Sequence, residues 1–199
     1  MWEWFKAGGT IMWPLLILSL ASWSVIFERF FVFWIEFKRT RRLAKKIEDT
    51  AANQSEIDAM IETNHCAMAK VLTTVHAHVQ LSKEDNLILT RTKLKEEIAY
   101  LQRGLTLLEV CASVSPLLGL LGTVVGIVQV FSVISKAGTG DAAILSGGIS
   151  TALNTTVFGL IIAIPSAITF SFFERRIDVL IQVIEKYVVQ LLTTYYSGR

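Results

Sequence analysis

Five polar side chains interrupt long apolar runs of this 199-residue chain: Thr123 in one run, and Thr151, Asn154, Thr155 and Thr156 in another. Hydroxyl and carboxamide oxygens at such positions can solvate a hard cation or pass a proton on through water, but they cannot titrate. Thr123 stands twelve residues before Ser135 and Thr156 thirteen after Ala143. At a helical rise of 1.5 Å per residue, both lie ~18–20 Å from the same surface. A single threonine in an apolar helix ordinarily bonds back to a carbonyl one turn earlier and does nothing else. The clustering of five such groups in depth marks Thr123, Thr151, Asn154, Thr155 and Thr156 as a candidate ion pathway. Within it, Thr123, Thr155 and Thr156 form a possible Na⁺ site.

Small residues run beside them. Ser115, Gly119, Gly122 and Gly126 follow at spacings of four, three and four, and Gly148, Ala152, Thr155, Gly159, Ala163 and Ser166 make a second stripe. Stripes of this kind let helices approach closely in a membrane. Other chemistry is not supported. His76 and His78 stand two apart and so on opposite sides of a helix, and His65 has no ligand partner at helical spacing. No nucleophile triad, phosphate loop or metal motif is found, so no enzyme, cofactor or nucleic-acid partner is expected. Between Val110 and Phe173 the only acid is Asp141, in a connecting loop. Any carboxylate acting at the depth of the threonines must come from another chain.

The elements that must position these groups are membrane helices. Hydrophobic residues make up 52% of the chain, too many for an ordinary soluble domain. Segments 11–37, 107–135 and 143–173 each exceed the ~20 residues needed to cross a bilayer. None has the short apolar core, basic leader and small-residue cleavage site of a secretory signal. The fold class is therefore an all-α membrane protein: three transmembrane helices with long cytoplasmic helical extensions. Lys38, Arg39, Arg41, Arg42, Lys45 and Lys46 follow the first span, Arg175 and Arg176 follow the third, and the other side has only Lys6 and Lys136. The positive-inside rule then places residues 1–10 outside with Trp2, Trp4, Phe5 and Trp13 at the interface. It makes 38–106 a cytoplasmic helical domain, 136–142 an outer loop and 174–199 a cytoplasmic C-terminal helix.

In the cytoplasmic part, Leu43, Ile47, Ile57, Ile61, Met68, Val71, Leu72, Val75 and Val79 repeat with helical spacing, with a break expected about residues 52–55. Ser82 reads as an N-cap with Glu84 and Asp85 in the first turn. Beyond it, Leu87, Thr90, Leu94, Ile98, Leu101 and Leu105 keep period with no breaker except Gly104, which predicts one helix over 83–135, ~80 Å long. Ile177, Leu180, Ile181, Ile184, Tyr187, Val188 and Leu191 form an apolar stripe on the tail. It needs a covering surface, within one subunit or between copies. Glu28 and Arg29 read as a local interfacial charge pair, and Cys66 and Cys111 as ordinary buried thiols. Each span carries one proline, Pro14, Pro116 or Pro165. No internal repeat is present.

Three motifs carry a family resemblance: Ile26-Phe-Glu-Arg-Phe30, Pro116-Leu-Leu-Gly-Leu-Leu-Gly-Thr-Val-Val-Gly-Ile127 and Gly148-Ile-Ser-Thr-Ala-Leu-Asn-Thr-Thr-Val-Phe-Gly-Leu-Ile-Ile-Ala-Ile-Pro165. With them the chain resembles the MotA/TolQ/ExbB proton channel family, nearest its ExbB and TolQ branch, over nearly its whole length. The resemblance implies a homopentamer in the bacterial inner membrane, whose second and third spans line a central pore. Two single-span helices of an ExbD/TolR-type partner, each carrying the ion-accepting Asp, occupy that pore. Thr123 and Thr156 match the family's pore threonines. The implied work is conversion of the proton (or sodium) motive force, through a TonB-type or Tol-type transducer, into outer-membrane transport. A TolQ-like role in envelope constriction, a gliding or flagellar stator and, outside the class, a non-conducting membrane scaffold are the alternatives. One departure stands out: Thr151 occupies the place of the Glu usual in Gly-Ile-x-Glu-Ala-Leu, which weakens proton specificity there and opens the way to Na⁺.

Overall fold

A computed structural model describes residues 9–49, 54–137 and 142–197, with the Thr151 side chain outside what is described. Trp2, Trp4 and Phe5 with the rest of residues 1–8, much of the break about residues 52–55 and Asp141 in the outer loop lie outside the described residues. A 3₁₀ turn at Gly9–Ile11 leads into α1 (Met12–Asp49), followed by α2 (Gln54–Thr63), α3 (Ala67–Ala77), α4 (Lys83–Gln102), α5 (Leu105–Ala137) and α6 (Ala142–Ser197). Among the described residues there is no strand, and three helices are long and apolar enough to cross a membrane. The chain is an all-α membrane protein. Pro116 and Pro165 lie within continuous helices, while Pro14 sits in the first turn of α1, where its missing N–H has no intrahelical partner to lose.

Two compact units are built from these helices: one from residues up to 28 with 104–172, the other from 29–103 with the chain from 173 onward. The first is apolar outside and small or polar inside. Trp13, Ile17, Leu20, Trp23 and Phe27 make an exposed face on α1, and Leu117, Val128, Ile161 and Ile168 are exposed on α5 and α6. Inside are Ser22, Ser115, Thr155 and Ser166. This distribution is the reverse of a water-soluble core and suits lipid as the solvent. The Ser22 and Ser166 hydroxyls meet at 2.7 Å, and Met12 and Leu15 of α1 pack with Ile162 of α6.

The second unit has a water-soluble type of core. Leu43, Ile47, Ile57, Ile61, Met68, Val71, Leu72, Val75 and Leu94 are buried, as their spacing predicts. The tail stripe is covered within the chain: Ile177, Leu180, Ile184, Tyr187, Val188 and Leu191 are all buried, and Phe173 stacks on Phe33 with ring centres 4.6 Å apart. Tyr187 donates to the Ala44 carbonyl at 3.2 Å and to Glu48 at 2.8 Å, and burial together with that carboxylate pushes its phenol up to about 12. Ser82 caps α4 by accepting from the Asp85 N–H at 3.1 Å, as expected. Cys66 has no capping bond to offer α3; instead the Glu36 carboxylate on α1 accepts from the Ala67 N–H. A negative charge there also complements the α3 dipole. Both cysteines are free and buried, and burial pushes the Cys66 thiol up, so it stays an unreactive thiol.

One expectation is corrected. The helix predicted over 83–135 is two helices: α4 ends at Gln102 and α5 begins at Leu105, with Gly104 at φ +77° between them. The apolar period continues across the break, so periodicity alone could not reveal it. Ending α4 leaves its last carbonyls without intrahelical donors. The buried guanidinium of Arg29 meets that need, its Nη1 donating to the Leu101 carbonyl at 3.3 Å. Arg29 thus reaches beyond the local charge pair that its place next to Glu28 suggests. Because only glycine takes a positive φ without strain, Gly104→Ala is expected to destabilise the fold by about 1–2 kcal/mol. Thermal unfolding of the purified protein in detergent checks this; an unchanged midpoint would refute it.

Candidate functional site

The two stripes of small residues face one another. A Cβ placed on Gly119 would lie 2.9 Å from the Thr155 carbonyl oxygen and from the Thr156 Cα. One on Gly126 would lie 2.9 Å from the Ala152 Cβ, and one on Gly159 only 2.5 Å from the Ser115 carbonyl oxygen. On Gly122 it would collide with the Thr155 hydroxyl, and on Gly148 with Val130. The backbones of α5 and α6 therefore touch along most of the stripe, a contact possible only where side chains are absent or very small. Ala163 is buried on the same side of α6. Ser115 is fully buried, and its hydroxyl has no hydrogen-bond partner among the described residues.

This contact sets the register of the hydroxyls. Thr156 sits against Gly119, and Thr123 lies one turn further along α5 on the same side, about 6 Å along the axis. The Gly119 carbonyl is the meeting point: it accepts from Thr156 Oγ1 at 3.1 Å and from Thr155 Oγ1 at 3.1 Å. Thr155 also donates to the Ala152 carbonyl at 2.7 Å, and Thr123 donates to the Leu120 carbonyl at 2.7 Å.

The five polar residues do not form a single row. Thr155 is 1% exposed and is enclosed between the helices, so its oxygen is turned to packing. Thr123 and Thr156 are half-buried in the chain and open on one side. Asn154, also half-buried, precedes Thr156 by two residues, which places it ~160° away around α6. Thr151 is helical in backbone. What the sequence reading missed is the Gly119 carbonyl. A glycine 36 and 37 residues before two adjacent threonines gives no sign that one backbone oxygen collects both hydroxyls. The histidines have ordinary partners: His76 Nδ1 lies 2.9 Å from the Tyr195 hydroxyl, and His78 Nδ1 lies 2.9 Å from the Thr74 carbonyl.

Adding one methyl separates packing from other roles. In Gly159→Ala the new Cβ meets backbone, which cannot swing aside, so about 1–3 kcal/mol of stability should be lost. Gly147→Ala meets nothing within 4 Å and should leave stability unchanged within about 0.5 kcal/mol. Equal unfolding midpoints for the two variants would refute the close contact.

The threonine-lined contact can be compared with known proteins. The Biopolymer transport protein ExbB of Salmonella typhimurium is 30% identical over 178 residues, covering 84% of this chain and 72% of that protein. The Putative biopolymer transport protein ExbB-like 3 of Synechocystis is 31% identical over 173 residues, covering 84% of this chain and 82% of its own. The Biopolymer transport protein ExbB of Helicobacter pylori reaches 42% identity over a shorter 80-residue stretch, 40% of this chain and 55% of that protein. The sequence profile described as the MotA/TolQ/ExbB proton channel family matches residues 53–186, which take in the break at Gly104, the meshed glycines and both half-open threonines. Three apolar helices, a polar contact between two of them and these matches agree: the chain is a member of the MotA/TolQ/ExbB proton channel family.

Proposed function

We propose that the chain is the ion-conducting stator subunit of an inner-membrane motor, ExbB-like in its work of biopolymer transport across the envelope. It assembles as a homopentamer with spans at 11–37, 107–135 and 143–173, its N-terminus periplasmic and its C-terminal helix cytoplasmic. Thr123 and Thr156 line the ion path of each subunit. A single-span ExbD-type partner brings the membrane Asp that carries the ion, and a TonB-type transducer takes up the resulting motion. The observation that carries this reading is the pair Thr123 and Thr156, half-open and one turn apart at mid-span, in spans free of charge between Glu109 and Lys136 and between Asp141 and Glu174. A path with polar oxygens and no fixed charge leaves room for a titrating carboxylate that enters from elsewhere.

In this reading Thr155 and Asn154 have other roles. Thr155 holds α5 to α6, and Asn154 serves another face of α6. Thr151 stands where a Glu is usual in the ExbB and TolQ branch, so the subunit itself offers no titrating group at that place. We favour H⁺ as the coupling ion, with Na⁺ as the alternative that a hydroxyl-lined path permits.

The test is ion flux through the purified chain with its partner in proteoliposomes, pH and Na⁺ varied independently. Flux should follow the proton gradient without Na⁺, and strict Na⁺ dependence would overturn the choice of ion. Thr156→Val should lower flux at least tenfold while pentamer and partner still co-purify, because it removes the polar oxygen and keeps the volume. Normal flux in that variant would remove Thr156 from the path. Intact assembly with no flux in the unaltered protein would leave a scaffold, the reading that the meshed glycines alone support.

A further inference from the structure

We propose that the face of α1 just beyond the first span binds the phosphate headgroups of anionic phospholipids in the adjoining leaflet. This needs only the span itself, so it is independent of ion flux and of any protein partner. Lys38, Arg41, Arg42 and Lys45 follow one another along α1, and all four are exposed. At 100° per residue they share one ~100° arc with Phe31 and Trp34. Those two rings are 68% and 62% exposed. The side of the helix that looks into lipid as an apolar surface therefore turns cationic within one turn of Trp34. The opposite side holds Phe33, Thr40, Leu43 and Ile47, all buried. Their burial fixes the direction in which the four cations point.

Among the described residues none of the four cations forms an ion pair. The nearby acids of α1 are engaged elsewhere: Glu36 accepts from the Ala67 N–H, and Glu48 meets Lys186 at 3.1 Å and Tyr187 at 2.8 Å. Asp49 shares the arc but stands ~16 Å beyond Lys38 along the axis. A further cation comes from α6, where the Arg176 guanidinium lies 5.2 Å from the centre of the Phe37 ring. Lys38, Arg41 and Arg42 fall within ~6 Å of the end of the span, and Lys45 within ~10–12 Å. A headgroup layer is ~5–8 Å deep and the Debye length ~8 Å, so all four act on the lipid surface. Arginine can fork two N–H groups onto one phosphate, and lysine adds a mobile point charge. Orientation during insertion asks only that cations lie on one side of the membrane. It does not ask that they continue the lipid-facing arc of a helix whose other side is buried. A second copy is the poorer occupant, since the same face on both would set cation against cation.

The experiment uses the full chain in phosphatidylcholine vesicles carrying a trace of spin-labelled phosphatidylglycerol or spin-labelled phosphatidylcholine, and reads the motionally restricted fraction of each label. Phosphatidylglycerol should associate roughly fivefold more strongly than phosphatidylcholine, the effect of about one cation at a charged surface. The ratio should fall toward one in about 1 M salt, where the Debye length is ~3 Å. Replacing Lys38, Arg41, Arg42 and Lys45 together by Gln should abolish the preference at low salt and keep the unfolding midpoint, since all four are exposed. Arg41→Lys with Arg42→Lys should retain most of it. If the fourfold variant does not fold, Lys38→Gln with Lys45→Gln should still lower the ratio by about half. Equal association of the two lipids with the unaltered chain, or a preference that the folded glutamine variants leave unmoved, would overturn the proposal. Loss of the preference to inorganic phosphate at matched ionic strength would assign the face to a free anion instead. A glutamine variant that changes the self-association of the chain and not its lipid preference would assign it to a second copy. Each of these results leaves the stator reading standing.

Discussion

In a bilayer two helices gain nothing by hiding apolar surface from water, so α5 and α6 have to hold together through dispersion and hydrogen bonds at short range. Both demand that the backbones come close. Gly119, Gly122 and Gly126 on one helix and Gly148 and Gly159 on the other make that possible, since a Cβ at any of them would collide or crowd. The same approach brings Thr155 and Thr156 within reach of the Gly119 carbonyl. Thr156 is thereby held level with Gly119 and one turn from Thr123, an offset that would change if the helices were moved by one step of the stripe. The placing of these hydroxyls is a consequence of the packing.

The other unit obeys a different solvent. Its core is aliphatic, and its polar groups are placed where helix ends need them. Glu36 reaches from α1 to the first N–H of α3, and Arg29 reaches from α1 to a terminal carbonyl of α4. Both are charged side chains on the continuation of a membrane span, meeting the two ends of helices with the sign that each end prefers. Buried Asn86 donates to the Val75 carbonyl at 3.0 Å and accepts from Thr90 at 3.3 Å, and Glu97 pairs with Lys70 at 2.8 Å. These polar links specify which helix meets which, where apolar surface alone would tolerate sliding.

Much of this was legible in the residues. Long apolar runs, cation-rich flanks and small-residue stripes point to three spans and to a close helix pair, because membrane insertion and close approach depend on residue type and local spacing. The Ser82 cap and the buried stripe of the tail were readable for the same reason. The positions that were not readable are those where a residue's neighbour in space is distant in sequence. Arg29 looked like half of a local charge pair, and nothing in the spacing of Glu97 and Asn86 pointed to their burial.

Fold class, spans and the identity of the hydroxyl-bearing residues were determined by the sequence alone, through solvent preference and the 3.6-residue period. Tertiary structure decided three further matters. It broke the helix at Gly104, where glycine takes a positive φ without strain, and set the Arg29 guanidinium, distant in sequence, against the Leu101 carbonyl at that end. It divided Thr155 from Thr123 and Thr156, enclosing the first and leaving the other two half-open. And it brought the Gly119 carbonyl of the neighbouring helix within reach of Thr155 and Thr156, whereas the Thr123 bond to Leu120 is the local back-bond that sequence already suggests.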